Sequence, residues 1–310
     1  MTLTRFFYYL VMTVLPCPDL DEAIRFFVER LGFRVDAIFP ADAPREARIS
    51  GHGTTIRLVS AAAELAHDAD WHVGRAGMQY RDLLPGRADG GLVVSHIRVP
   101  NGGELPDYVH FHRIQFQLIY CYRGWVRVVY EDQGPPFVLE SGDCVLQPPE
   151  IRHRVLECSP GLEVIEVGSP AEHETLADHE LTLPTEDLRP ERVFDRQRFV
   201  RHVAKDARWA TRGHEGFEAR DSGIGAATEQ RFQVTVLRPR GATRLRLPVE
   251  AARLRLIVAL RGSARLCCST PHTGSLSAGS AHLVESETEL DEFDDFECLE
   301  VSLPRIESGA

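Results

Sequence analysis

Two histidines two residues apart, His110 and His112, are the side chains in this chain best spaced to do chemistry. They sit in GELPDYVHFHRIQFQLIYCYRG (residues 103–124), a run with strand character. Successive side chains of a strand alternate faces, so residues i and i+2 point the same way. Two imidazoles on one strand face converge on one point, as a transition-metal site requires. Gln117 follows just inside the next strand, and Gly124 stands at a tight turn after it. A second segment, GDCVLQPPEIRH (residues 142–153), places Gly142 and Asp143 at a turn, Pro148 and Pro149 at a strand end, and His153 at the start of the next strand.

Together these segments resemble the two motifs of the cupin family. The first motif is Gly, HxH, Glu and Gly, and here reads Gly103, His110, His112, Gln117 where Glu is usual, and Gly124. The second reads Gly142, Pro148, Glu150 in place of Gly, and His153, with its spacing intact. The resemblance implies a β-barrel whose metal ligands are His110, His112 and His153, with Gln117 in the fourth ligand position. A carboxamide offers a neutral oxygen where Glu would bring a charge. Gln117 is therefore read both as a ligand and as a residue that orients a water or a histidine. Three neutral nitrogens suit transition metals better than Mg or Ca. The expected cofactor is a divalent transition metal, Fe(II) first, with Zn, Ni or Mn as alternatives. A site with few protein ligands keeps positions for water, substrate or O₂. Its net positive charge favours an anionic, chelating small-molecule substrate.

Strand parity extends the list. With Gln117 facing inward, Gln115, Ile119 and Cys121 share its face as candidate pocket residues. Tyr108 shares the face of His110 and is a candidate to hydrogen-bond substrate, which makes Gln117 and Tyr108 the candidate catalytic pair. His96, in the strand LVVSHIRV, is a further pocket candidate. The remaining histidines (52, 67, 72, 173, 179, 202, 214, 272 and 282) have no partners in the pattern and read as surface residues.

Several elements must position these groups. From Tyr80 to Pro170, short β-runs split by Gly and Pro turns read as a sandwich or small barrel. Upstream, residues 6–15 read as a strand. Asp19 then caps a helix with Glu22 in the capping-box position. Leu20, Ala23, Ile24, Phe27 and Leu31 form one apolar stripe, and Gly32 ends the helix. Strands follow at Phe33–Phe39, Ala47–Ser50 and Thr54–Val59. This β-α-β-β-β order, centred on DLDEAIRFFVERLGF, resembles one module of the vicinal oxygen chelate, or glyoxalase-like, family. The family's metal-binding His and Glu have no counterparts at the matching positions, so the module is expected to be structural or dimerising. Residues 171–225 read as a connector with short helices near Phe194–Ala207.

A second β-rich block, Phe232–Leu303, contains Gly262 and Gly279 at nearly the separation of Gly124 and Gly142. Counting from them puts Pro248, Glu250, Arg255 and Leu290 where the first block has His110, His112, Gln117 and His153. That second barrel is expected to carry no metal set.

Composition limits the function classes. The net charge of −11 argues against a nucleic-acid surface and against an anionic membrane. The apolar run at 6–15 is too short to span a bilayer and lacks a small-residue cleavage site, so a buried strand explains it better. Seven cysteines without CxxC spacing read as reduced, space-filling thiols of a cytoplasmic protein.

The expected fold is mainly β: a bicupin with a small N-terminal α+β module. The expected divisions are 1–68 for the glyoxalase-like module, 69–175 for the metal-binding barrel, 176–225 for a connector and 226–310 for a degenerate second barrel. Bicupins with one live metal site resemble ring-cleaving and diol-cleaving oxygenases. The resemblance thus implies a metal-dependent dioxygenase, an oxidoreductase, acting on a small anionic, enolic or phenolic substrate. The alternatives are a metal-dependent isomerase, cyclase or lyase using Zn or Ni, and a non-catalytic small-molecule-binding cupin. The open sheet edge of a single β-α-β-β-β unit suggests a homodimer.

Overall fold

A computed structural model describes residues 12–61, 71–74, 77–84, 86–211, 213–268 and 273–305. The first element is strand Thr13–Cys17, which runs parallel to Thr54–Ser60 at the edge of a sheet. It starts later than the sequence pattern suggests and includes Pro16; residues 6–11 of the expected strand lie outside the described residues. An edge strand tolerates a proline because one side of it has no ladder to serve. Asp19 caps the helix Leu20–Arg25 by accepting from the Glu22 backbone N–H at 2.8 Å. The helix continues as a π-helical turn, Phe26–Arg30. Leu20, Ala23, Ile24 and Phe27 pack on Phe33, Ile38, Ala47, Ile49 and Leu58 of the sheet. Leu31, expected on the same stripe, is 41% exposed. The wider π turn carries it off the 3.6-residue period.

The module's sheet continues into the first barrel. Strand Arg34–Phe39 pairs antiparallel with Glu174–Ala177, which pairs with His110–Arg113. Ala37, Phe111 and Leu176 pack together across this seam. One edge of the β-α-β-β-β unit is thereby closed within the chain. Only the Thr13–Cys17 edge remains as an argument for the expected dimer.

The first barrel has two antiparallel sheets. One contains His110–Arg113, His153–Cys158, Trp125–Tyr130 and Phe137–Glu140. The other runs Val200–His202, Cys144–Leu146, Phe116–Arg123, Leu162–Ser169, Val93–Val99, Gln79–Asp82 and His72–Val73. Helices expected near Phe194–Ala207 are absent. That stretch forms the ladder Val193–Phe194 with Gln197–Arg198, and Val200–His202 then adds a strand to the barrel. Its charged residues sit on exposed strand faces, where a helical period would have no core to meet.

The second β-block is one seven-stranded sheet dominated by two long strands, Arg253–Cys268 and Thr288–Pro304. Register shifts near Gly262 bend them into a barrel. Gly262 has φ +62°, and a Cβ there would lie 2.0 Å from the Asp294 carbonyl oxygen, so only glycine fits.

The barrels pack back to back through a shared core. Phe116, Leu118 and Tyr120 meet Phe232, Val234, Leu256, Val258 and Val301, with the Phe116 and Phe232 rings stacked 4.6 Å apart. Alternation then sends Gln117 to the interior of the first barrel. The interior of the second packs Leu245, Leu247, Ile257, Leu290, Phe296 and their neighbours, while Gln233, Thr235, Arg255 and Glu300 line a polar cavity. Phe116→Ala should lower unfolding free energy by about 3–5 kcal/mol, as for other buried phenylalanines. Chemical denaturation reads this directly, and a loss well under about 1 kcal/mol would contradict the shared core.

Candidate metal centre

His110, His112 and His153 come together inside the first barrel. Register pairs His153 with His110 across two strands, and His112 follows on the same face. The three are 0%, 7% and 5% exposed. One ligand nitrogen from each lies within 4.8 Å of the others, and no other such group of His, Cys, Asp or Glu occurs among the described residues.

Each imidazole is held from behind at Nδ1. His110 Nδ1 lies 2.8 Å from the Tyr108 carbonyl, and His153 Nδ1 lies 3.0 Å from the Ile151 carbonyl. Carbonyls only accept, so both rings carry their proton on Nδ1 and their lone pair on Nε2. His112 Nδ1 lies 2.9 Å from Thr175 Oγ1, which can accept in the same way. The Asp107 carboxylate sits 3.6 Å from His110 Nδ1 and also accepts from the Val155 N–H. These anchors select the tautomer that a metal-binding histidine needs. The donor set thus fits a divalent transition metal held by three Nε2 atoms.

The second motif shows why glycine is usual at one of its positions. Glu150 has φ +61°, in the left-handed region, and its N–H donates to the His112 carbonyl at 3.1 Å. A non-glycine residue thus takes the strained conformation there.

Gln117 reaches the cavity, 2% exposed. Its Oε1 accepts from Gln147 Nε2 at 2.9 Å, and its Nε2 donates to Glu166 at 2.6 Å. Tyr130 extends the chain by donating to Gln147 Oε1 at 2.5 Å, with its ring stacked on His153. Burial, and then the Glu166 carboxylate, push the Tyr130 phenol upward, which keeps it a donor.

The cavity spans roughly 900 Å³ including its open mouth. Val93, Ile97, Val126, Val128, Val155 and Val164 supply much of its wall, and Ile119 lines it as parity suggests. Three pocket candidates lie elsewhere. His96 points out of the barrel, because Val93, Ser95, Ile97 and Val99 occupy the inward positions of its strand. There it contacts Glu163 at 2.7 Å and Arg81 at 3.1 Å. Gln115 is exposed, since its strand begins only at Phe116. Cys121 is buried in the barrel's apolar core away from the cavity lining, where burial pushes its thiol up to about 12. Tyr108 is half-buried and absent from the cavity lining; its carbonyl anchors His110, and its ring meets that imidazole edge-on.

Among the cavity residues that escaped the sequence reading are Tyr130, Gln147, Glu166, His173 and Asp42. Glu166 carried a signal, a carboxylate in the middle of the apolar strand LEVIEVGS. His173, read as a surface residue, is 5% exposed and packs edge-on against His112 at 5.4 Å; burial lowers its basicity. In the second barrel, Glu250 and Arg255 pair with each other, and Leu290 is fully buried.

Comparison with known proteins places this architecture. The model of the Glyoxalase/Bleomycin resistance protein/Dioxygenase superfamily matches residues 9–119, a minority of the chain. No curated protein matches it. Oxalate decarboxylase from Bacillus subtilis is similar in structure, with TM-score 0.53 and 12% identity over 76% of this chain and 74% of that one. Protein Ylba from E. coli, described as DUF861, is similar with TM-score 0.52 and 10% identity over 79% of this chain and 91% of that one. At such identities the likeness concerns the fold. The fold is mainly β and bicupin-like, with an N-terminal α+β module. Within the span matched by the glyoxalase model, residues 13–60 form the β-α-β-β-β unit, while strands Val93–Val99 and His110–Arg113 belong to the barrel. No described helix is long and apolar enough to cross a membrane.

Thr175→Val removes the acceptor behind His112 without changing shape. Metal affinity should fall by about 10–100-fold with the fold intact. Competition with a chromogenic chelator measures this, and an unchanged affinity would show that Thr175 does not orient the ring.

Proposed function

We propose that this chain is a metal-dependent dioxygenase cleaving a small anionic, enolic or phenolic substrate. Fe(II) is the preferred ion, with Zn, Ni or Mn as alternatives. The observation that carries the reading is the three-imidazole group itself, which includes no carboxylate. Three neutral ligands leave the full charge of the ion to attract a chelating oxyanion and leave coordination positions for more than one reactant. A bound divalent ion supplies Lewis acidity and, if it is iron, a route for electrons from substrate to O₂. In the proposed reaction both oxygen atoms end in the products of the cleaved bond.

The protein's own residues bind, orient and exclude water. Valine and isoleucine walls keep the cavity dry, which strengthens every charge interaction inside it. The chain Tyr130–Gln147–Gln117–Glu166 fixes one polar wall. Because Gln117 Oε1 already accepts from Gln147, we assign Gln117 first to orienting the polar wall and only second to ligation. The same polar wall, ending on a carboxylate, favours one alternative. With Zn or Ni it would suit an isomerase, cyclase or lyase that moves a proton without O₂.

Metal analysis and oxygen uptake separate these readings. The wild type should hold near-stoichiometric iron, and His110→Ala/His112→Ala should hold none. A screen of diketones, hydroxy acids and catechols should then reveal O₂ uptake. Turnover without uptake would move the assignment to the lyase class, and no metal after reconstitution would leave a binding protein.

A further inference from the structure

One stretch of the cavity wall comes from outside the barrel. Ala41 and Asp42 follow strand Arg34–Phe39 of the N-terminal module, yet both line the cavity. Asp42 is 7% exposed. Its Oδ2 is held by the Arg87 guanidinium, whose Nε donates to Asp82 Oδ2 at 2.7 Å. Asp82 Oδ1 in turn accepts from the Leu84 N–H at 2.9 Å. Two atoms of this buried network have no hydrogen-bond partner, Oδ1 of Asp42 and Nη1 of Arg87.

His173 lines the same cavity, and neither of its ring nitrogens completes a hydrogen bond. The Pro170 and Ala171 carbonyls lie beside the ring, short of hydrogen-bond geometry. Even crediting one N–H to them leaves the second nitrogen open. The two segments are clamped together, because Arg45 donates to both oxygens of Glu172 at 2.9 and 2.8 Å. Buried polar atoms without partners are costly, and proteins keep them where a ligand or water supplies the partner.

We propose that Asp42 and His173 form an anchoring subsite beside the three-histidine group. It takes a neutral substrate group that both donates and accepts hydrogen bonds, a hydroxyl or a carboxamide. The charge count selects this class. Asp42 and Asp82 face one guanidinium, so a second carboxylate on the substrate is repelled while an N–H or O–H is drawn to Asp42 Oδ1. His173 then donates to the oxygen of the same group or accepts from it. Arg87 is a positioning residue that presents Asp42. The module, which lacks the metal-binding residues of its own family, thereby lends the barrel a specificity residue. The inference rests on the chelating-anion reading above.

The test uses two probes with the same chelating end, malate and its terminal amide, malamate, titrated calorimetrically into metal-loaded protein. The wild type should prefer malamate by at least about tenfold, the worth of one charge-assisted hydrogen bond. Asp42→Asn should erase most of that preference, and His173→Gln should weaken malamate by about tenfold, both with metal content unchanged. Equal binding of the two probes, a preference unaltered in Asp42→Asn, or binding of neither probe would overturn the proposal. Protein that takes up no metal would instead overturn the metal-site reading. The subsite then stands or falls on thermal melts of metal-free protein. There His173→Leu should raise Tm by removing an unpaired buried group, and a fall in Tm would show a structural imidazole and sink the subsite.

Discussion

The geometry of the candidate metal centre depends on what stands behind three imidazole rings. An imidazole free to turn presents either nitrogen and either tautomer, and three such rings define no site. Here the Tyr108 and Ile151 carbonyls and the Thr175 hydroxyl each occupy an Nδ1, so the Nε2 atoms are left to converge. Two of the anchors are local, since each carbonyl lies two residues before its histidine. The third is not. Thr175 belongs to strand Glu174–Ala177, which is held between the barrel strand His110–Arg113 and the N-terminal strand Arg34–Phe39. The accessory module is therefore one strand away from a ligand histidine, and its packing bears on how rigidly His112 is aimed.

The two barrels divide the work according to what fills them. Their common core uses one face of each back sheet, so only the opposite face can form a cavity. In the first barrel that face carries Gln117, Ser95 and Glu166 among valines and isoleucines, which leaves room and a polar wall. In the second it carries Leu237, Ile257 and Cys298 in an apolar cluster, and Thr235, Arg255 and Glu300 around a smaller polar cavity with no group of metal-ligating side chains among the described residues. The second barrel gives the three-histidine barrel a packed apolar back.

What could be read from the sequence was local. The i, i+2 pair His110 and His112 follows from strand alternation, and the helix from Leu20 follows from its cap and apolar stripe. His153 and the inward face of Gln117 came with the cupin spacing. The failures lie where phase or distance decides. His96 was assigned to the cavity, but the phase of Val93–Val99 turns it outward to Glu163. Gln115 shares parity with Gln117 yet precedes the strand that would give parity a meaning. His173 looked isolated because its neighbours, His112 and Asp42, are remote in the chain and come from different elements. Glu166 has no place in the cupin spacing, although a carboxylate between apolar neighbours must find a partner, here Gln117.

The most direct test of the central claim is X-ray absorption at the metal edge of the reconstituted protein. Three imidazole nitrogens at about 2.0–2.2 Å, with the rest of the shell made of exchangeable light atoms, would match the anchored three-histidine site. A shell containing sulfur, or fewer than three imidazoles, would contradict it and place the metal, if any, elsewhere in the chain.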